Sequence, residues 1–407
     1  MNLTALRCRE CGATSAVAAV YACDRCFGPL EVVYDEAQRR DVSRASIEAG
    51  PRSLWRYEQL LPVLGEERVD LGAGLTPLVP APRLAERIGL ERLWIKDDTR
   101  NPSGSFKDRV VSVALSAARA LGIRTVACAS TGNLANAVAA HAAAAGMEAY
   151  VFIPDDLEQA KIIASAVYGA NVVAVKGTYD QVNRLCSEIA DDRGWGFVNV
   201  NLRPFYAEGS KTLGFEIAEQ LGWRLPDHVV APIASGSQLT KVHRAFGEMV
   251  ELGLVADRPV RMSGAQASGC GPVATAFETG ADDVTPVKPA TIARSLAIGD
   301  PADGRYALSV VRATGGAIIG VSDAQIVDGM RLLASTEGIF AETAGGVTIA
   351  TLVELVQRGV IDRGEEVVCM VTGHGLKTIE SLSGHLGPTH HIPPSLEAFD
   401  DAVAGAA

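Results

Sequence analysis

The chain has 407 residues, 48% of them hydrophobic and 21% charged, enough for two or three domains with sizeable cores. Its 37 basic against 48 acidic residues leave a net charge of −11, a field that opposes polyanions, so no nucleic-acid partner is expected. The start, M-N-L-T-A-L-R-C-R-E-C, lacks the basic segment and apolar core of a secretory signal, and the weakly charged stretch 134–153 is interrupted by Asn136, His141, Gly146 and Glu148; no membrane partner and a cytoplasmic location are expected.

Cys8, Cys11, Cys23 and Cys26 come first along the chain, as two C-x2-C knuckles whose spacing lets four thiolates close around one tetrahedral zinc ion. With all four positions filled by cysteine no coordination position stays open, so the expected role is structural. Free thiols or a disulfide pair are the alternatives. A nucleic-acid-binding ribbon is opposed by Glu10 and Asp24, which balance Arg7, Arg9 and Arg25. A mixed connector follows over residues 36–92, with the turn-prone L-G-A-G-L-T-P-L at 71–78.

From about residue 93 to 381 short apolar runs alternate with helix-length segments. Strand-like runs cover 93–96, 125–129, 149–153, 172–175, 197–200, 229–233, 260–263, 317–321 and 367–371. Buried β-branched runs separated by helices predict an α/β fold of open, mainly parallel, doubly wound sheets. Cys128, Cys186, Cys270 and Cys369 stand in apolar surroundings and read as core residues. Residues 384–407 read as a partly disordered tail.

Four loops at the ends of these runs carry the chemistry. Residues 101–109 read N-P-S-G-S-F-K-D-R; Pro102 and Gly104 mark a loop, Ser103 or Ser105 can cap a helix, and apolar residues recur at Val110, Val111, Ala114, Leu115, Ala118 and Leu121 until Gly122. That places Lys107 in a first helical turn, where unpaired N–H groups and the dipole disfavour an ammonium ion, and a neutral lysine there is a nucleophile for carbonyls. An ordinary surface lysine in a capping loop is the bland alternative. Ser130, Thr131, Gly132 and Asn133 follow the run ending at 129 and offer hydroxyls and a carboxamide. Residues 234–240, A-S-G-S-Q-L-T, open a helix over 241–252 with small residues that suit a phosphate, or form a plain connection. Thr372, in T-G-H-G after the last run, offers one neutral hydroxyl.

Taken in order, these motifs resemble those of the pyridoxal-phosphate enzymes of fold type II, and among them the threonine synthase family, over about residues 72–381. The resemblance implies that Lys107 holds the cofactor aldehyde covalently and later moves protons. It places Asn133 on the ring hydroxyl, Ser235, Gly236, Ser237, Gln238 and Leu239 on the cofactor phosphate, and Thr372 at the pyridine nitrogen. Ser130 and Thr131 would line the substrate carboxylate site. Asn201 and Tyr206 align where relatives place a serine and an arginine on the substrate phosphate, and Arg203 lies three residues from the second. Some members are similar in carrying a four-cysteine ribbon.

The implied division is a zinc ribbon over 1–35, a larger cofactor-binding domain over 36–106 and 206–383, a smaller domain over 107–205, and a tail over 384–407. The implied activity is a lyase converting O-phospho-L-homoserine and water to L-threonine and phosphate, acting as a homodimer on a small phosphorylated amino acid. β-Replacement on O-phosphoserine, as in cysteate synthases, and dehydration of serine or threonine are alternatives; a non-enzymatic zinc-ribbon binding protein is opposed by the intact motifs. Three departures from the family pattern bear on the substrate: A-S-G-S-Q where G-N-A-G-N is usual, Leu134 where threonine follows T-G-N, and E-T-A-G-G-V from Glu342 where E-P-A-S-A is usual.

Overall fold

The computed structural model describes residues 2–62, 64–66, 68–155, 159–177 and 179–404. Its first three strands, β1 (Leu3–Cys8), β2 (Thr14–Ser15) and β3 (Leu30–Tyr34), form an antiparallel sheet in the order β2-β1-β3. Ten more strands follow: β4 (Leu78–Pro80), β5 (Arg92–Asp97), β6 (Thr125–Ala129), β7 (Glu148–Pro154), β8 (Asn171–Val175), β9 (Gly196–Phe197), β10 (His228–Pro232), β11 (Arg261–Ala267), β12 (Ile318–Val321) and β13 (Glu366–Val371). They build a six-stranded sheet, β12-β11-β10-β13-β5-β4, and a four-stranded parallel sheet, β8-β7-β6-β9.

The two inner strands β10 and β13 are buried at every position, as expected of parallel strands covered on both faces by crossover helices. Each Val buried there contributes roughly 1.5–3 kcal/mol, so a charge at Val368 would break the centre of the sheet. Register then fixes where the loops fall. Val371 pairs with Asp97 at the ends of β13 and β5, and Val230 of β10 pairs with Cys369. The segments after β5, β10 and β13 therefore leave the same carboxyl edge side by side, where open α/β sheets hold ligands.

Most strand positions agree with the apolar runs to within a few residues, and four details differ. The antiparallel edge strand β4 has no counterpart among those runs; three residues ending in Pro80 carry too little pattern, and proline is tolerated at an edge. The run at 197–200 yields only Gly196–Phe197. The helix beyond 101–106 begins at Lys107 with Phe106 as N-cap and no side-chain cap, so neither Ser103 nor Ser105 caps it. Ser103 instead bonds Asp108 through its N–H and hydroxyl. In the tail, Leu396–Ala404 is helical, started by Ser395 accepting from Ala398 N. Among the described residues no helix is long and apolar enough to cross a membrane.

Candidate active site

The helix Lys107–Ala120 starts at the cleft because its first turn is held from below. Arg109, fully buried, donates to both oxygens of Asp98 and of Glu216 and to Thr76 and Thr212. Lys96, on β5, donates to Glu216 Oε2 at 2.6 Å. Burial opposes ionisation of Glu216, but the Arg109 and Lys96 charges outweigh it and bring the carboxyl down to about 2. Asp108 accepts from Ser103 and contacts His141 Nε2 at 3.1 Å.

Above this base the loops are stitched together by backbone. Phe106 N donates to Thr372 O at 2.8 Å, His374 N to Gly104 O at 2.9 Å, and Glu342 N to Gly373 O at 2.9 Å. Segments far apart in sequence thus share one frame. Gly209 closes another side: a Cβ there would stand 2.7 Å from Arg109 O, and this approach sets the preceding helix, Arg203–Glu208, against Lys107. Lys107 Nζ donates to Tyr206 Oη at 2.8 Å and lies 5.2 Å from the centre of the Phe106 ring.

The cleft encloses about 580 Å³, open to solvent. Lys107, Tyr206, Ser210, Asn133, Glu342 and Thr372 line it, together with residues 234–238. Gly236 adopts φ +95°, and the helix Ser237–Glu251 starts behind it without a side-chain cap, which leaves first-turn N–H groups turned to the cleft. Gln238 Nε2 is buried with no hydrogen-bond partner. An anion at this helix start would meet several donors and the positive end of the dipole. An amine, an anion cradle and a cleft of this size fit a small phosphorylated carbonyl compound.

Six of the residues singled out from sequence for the cofactor line the cleft: Lys107, Asn133, Ser235, Gly236, Ser237 and Gln238, with Thr372 as a seventh. Leu239 puts its side chain in the core, so only its N–H could serve an anion. Of the substrate candidates Tyr206 is in the cleft. Asn201 uses its whole amide on a turn, accepting from Phe197 N and donating to Trp195 O. Arg203 donates to Asp303 at 2.6 Å beside a second cleft. Ser130 and Thr131 sit half-buried on the loop before the helix Asn133–Ala145, outside the lining.

Two groups in the lining carry no role in the sequence reading: Glu342, met there only within the E-T-A-G-G-V departure, and Ser210. Glu342 accepts from Asn133 Nδ2 with both oxygens, at 3.0 and 2.9 Å, and burial raises its carboxyl above the ordinary range against the pull of Asn133, Lys377 and Lys107. Its signals were that departure and an acid just before a helix-length apolar segment. Ser210, also in the lining, had none. At the amino end, the four sulfurs of Cys8, Cys11, Cys23 and Cys26 lie within 4.8 Å of one another, with Cys8–Cys26 at 3.4 Å and Cys11–Cys23 at 3.7 Å. Those separations are too long for disulfides and close to the roughly 3.8 Å edge of a zinc–thiolate tetrahedron. Glu10 N and Arg25 N each donate to a knuckle sulfur at 3.4 Å. The other four cysteines are buried; burial pushes the Cys186 thiol up to about 12.

Residues 69–373 match the family of pyridoxal-phosphate dependent enzymes. The threonine synthase of Methanocaldococcus jannaschii is 38% identical over 91% of this chain and 92% of its own. That of Methanosarcina acetivorans is 37% identical over 99% of both chains. Among solved structures, a threonine deaminase from Solanum lycopersicum shares the fold with TM-score 0.64 at 22% identity, covering 77% of this chain and 84% of its own. Diaminopropionate ammonia lyase from Escherichia coli does so with TM-score 0.66 at 19% identity, covering 84% and 91%. With the motifs, the cleft and relatives that match from end to end, the chain belongs to the threonine synthase family of pyridoxal-phosphate-dependent enzymes of fold type II.

Proposed function

We propose that the chain converts O-phospho-L-homoserine and water into L-threonine and phosphate, with pyridoxal 5'-phosphate bound in the cleft. The observation that carries this reading is the match to a threonine synthase over 99% of both chains. The cleft suits the cofactor: Lys107 offers the amine, and the uncapped helix start with the unpartnered Gln238 Nε2 offers the phosphate seat. When bound, the cofactor supplies an electron-withdrawing ring that makes the substrate's α-proton acidic.

This chain's residues then have separable tasks. Lys107 would hold the cofactor through its amine and is the group placed to take and return a substrate proton, and the Tyr206 hydroxyl holds that amine in place. Ser235, Gly236, Ser237, Gln238 and the Leu239 N–H seat the phosphate. Asn133, oriented by Glu342, would serve the ring hydroxyl, and Thr372 would meet the ring nitrogen with a neutral hydroxyl, a weaker support for ring protonation than a carboxylate. Ser130 and Thr131 take the substrate carboxylate. Tyr206 and Ser210 meet the substrate phosphate from inside the cleft, while Arg203, held by Asp303, and Asn201, held in its turn, lie outside it and brace the segment that leads into the Tyr206 helix.

The four N-terminal cysteines hold a structural zinc ion. The larger sheet, from 36–106 and 206–383, and the smaller, from 107–205, act as two domains around the cleft, with residues 1–35 as a ribbon and 384–407 as a tail. Exposed Leu376, Ile379, Leu386, Leu396 and Phe399 support a homodimer through the carboxyl end, in the cytoplasm. The deciding experiment supplies purified, cofactor-loaded protein with O-phospho-L-homoserine and reads phosphate and amino acid together. Equal release of phosphate and threonine is expected; turnover of O-phosphoserine with sulfite, and none of O-phosphohomoserine, would overturn the reading.

A further inference from the structure

Arg9 and Glu10, the residues between Cys8 and Cys11, both reach one segment of the catalytic body, residues 303–306. Arg9 Nη1 stands 3.6 Å from Asp303 Oδ1, and its guanidinium lies 3.5 Å over the centre of the Tyr306 ring. Glu10 accepts from Arg305 Nη2 at 2.9 Å with both oxygens and from Tyr306 Oη. The knuckle fixes where these two side chains start, since Glu10 N donates to Cys8 Sγ and Gly12 N to Cys8 O.

The same segment is locked to the phosphate loop. Asp303 N donates to Ser235 O at 2.8 Å. Gly236 approaches so closely that a Cβ would stand 2.5 Å from Asp303 O. Asp303 Oδ2 accepts from Arg203 on the helix that carries Tyr206. A second cleft, about 360 Å³, runs between ribbon and body past Arg9, Arg203, Lys241 and Asp303, and Ser237 lines both it and the main cleft. The cations there are matched by Glu31, Glu208 and Asp303, so this space reads as a charged joint and not an anion site.

We propose that the ribbon positions the cofactor-phosphate loop: metal occupancy of the four-cysteine site, relayed through Arg9 and Glu10 to Asp303, sets the affinity for pyridoxal phosphate. The proposal rests on the zinc and cofactor readings above. Drawing four sulfurs around one ion fixes the knuckle backbone, and releasing them frees Arg9 and Glu10 from the geometry that holds residues 303–306. Because coupling between two binding sites is reciprocal, bound cofactor must raise the metal affinity by the same factor by which metal raises the cofactor affinity.

The test uses the full chain with zinc content measured throughout. Cofactor dissociation constants are read by equilibrium dialysis before and after the thiols are stripped with a mercurial and a chelator. Stripping is expected to weaken cofactor binding by about 5- to 150-fold, and saturating cofactor is expected to shift the equilibrium distribution of zinc toward the protein and away from a competing chromogenic chelator. A variant carrying Arg9→Ala and Glu10→Gln is expected to keep zinc yet bind cofactor more weakly, whereas Arg25→Ala, on the second knuckle, binds it as the parent does. A chain that takes up no zinc or no cofactor overturns the readings beneath the proposal. Both bound, with equal dissociation constants for parent, stripped protein and double variant, overturns the coupling alone.

Discussion

Replacing Arg109 with methionine should expose how the reactive lysine is held. The guanidinium is fully buried two residues beyond Lys107 and bonds Asp98, Glu216, Thr76 and Thr212. Methionine fills similar space but leaves two buried carboxylates facing Lys96 alone. Breaking a buried ionic cluster by removing one partner costs about 3–5 kcal/mol, and that is the stability loss expected at pH 7. The pH dependence gives an independent check. With the folded carboxyl of Glu216 lowered from 4.5 to about 2, its contribution is fully present above about pH 4.5 and is lost as pH falls toward 2. That window holds about 3 kcal/mol in the parent, and the variant should lose most of it. Urea unfolding followed by far-ultraviolet circular dichroism at pH 7 and at pH 3 reads both quantities. A loss under about 1 kcal/mol at pH 7, or an unchanged difference between the two pH values, would refute this account of the cluster.

Three further perturbations address the cleft. Lys107→Ala should abolish borohydride trapping of cofactor on the peptide spanning residues 101–109, and a surviving adduct there would remove Lys107 from its role. Gly236→Ala should weaken cofactor binding about tenfold or more, because the new side chain meets left-handed strain of roughly 1–2 kcal/mol in addition to the Asp303 carbonyl; equilibrium dialysis that finds parent-like affinity would show that the loop is not held as described. Burial raises the Glu342 carboxyl in the folded state, so the parent should lose stability as pH rises from about 4.5, and Glu342→Gln should not. Parallel urea midpoints at pH 4.5 and 8 decide it: equal declines in both proteins sink the assignment.

How much of this was legible in the sequence depended on what each residue's neighbours say locally. The strands β6, β7, β10 and β13 announced themselves because parallel strands buried along most of their length are short runs of apolar, often β-branched residues with little else to be. Lys107 and residues 234–238 stood out because glycine, serine and proline cluster where a strand hands over to a helix. The β4 edge strand and the helix at Leu396–Ala404 were hidden by short length and mixed composition. Glu342 was hidden differently: its meaning lies in Asn133, more than two hundred residues away, and no local pattern encodes a pair of that separation. Arg203 and Asn201 were picked by alignment to a motif, and only the fold reveals Asp303 and the 195–197 turn as their partners.

The placement of charge under the cleft bears on how the lysine can work from the first turn of a helix that a loop leads into. A loop carrying a nucleophile gains reach but loses definition, and misplacing a reacting group by about 1 Å can cost 100-fold in rate. Here the definition comes from both directions. Backbone bonds from Phe106 to Thr372 and from His374 to Gly104 tie the loop to the end of β13, and the Arg109 cluster ties the helix behind it to β5 and to the helix Lys211–Gln220. Charged groups buried this deeply give little net stability over an apolar core of the same volume. What they add is direction: a guanidinium that must satisfy Asp98 and Glu216 together accepts one orientation of the helix, where leucines would accept many. The orientation of the first turn, and of Lys107 with it, is therefore set by a charged cluster that lies outside the cleft, so the polar pairs inside it, Lys107 with Tyr206 and Asn133 with Glu342, need not hold the helix as well.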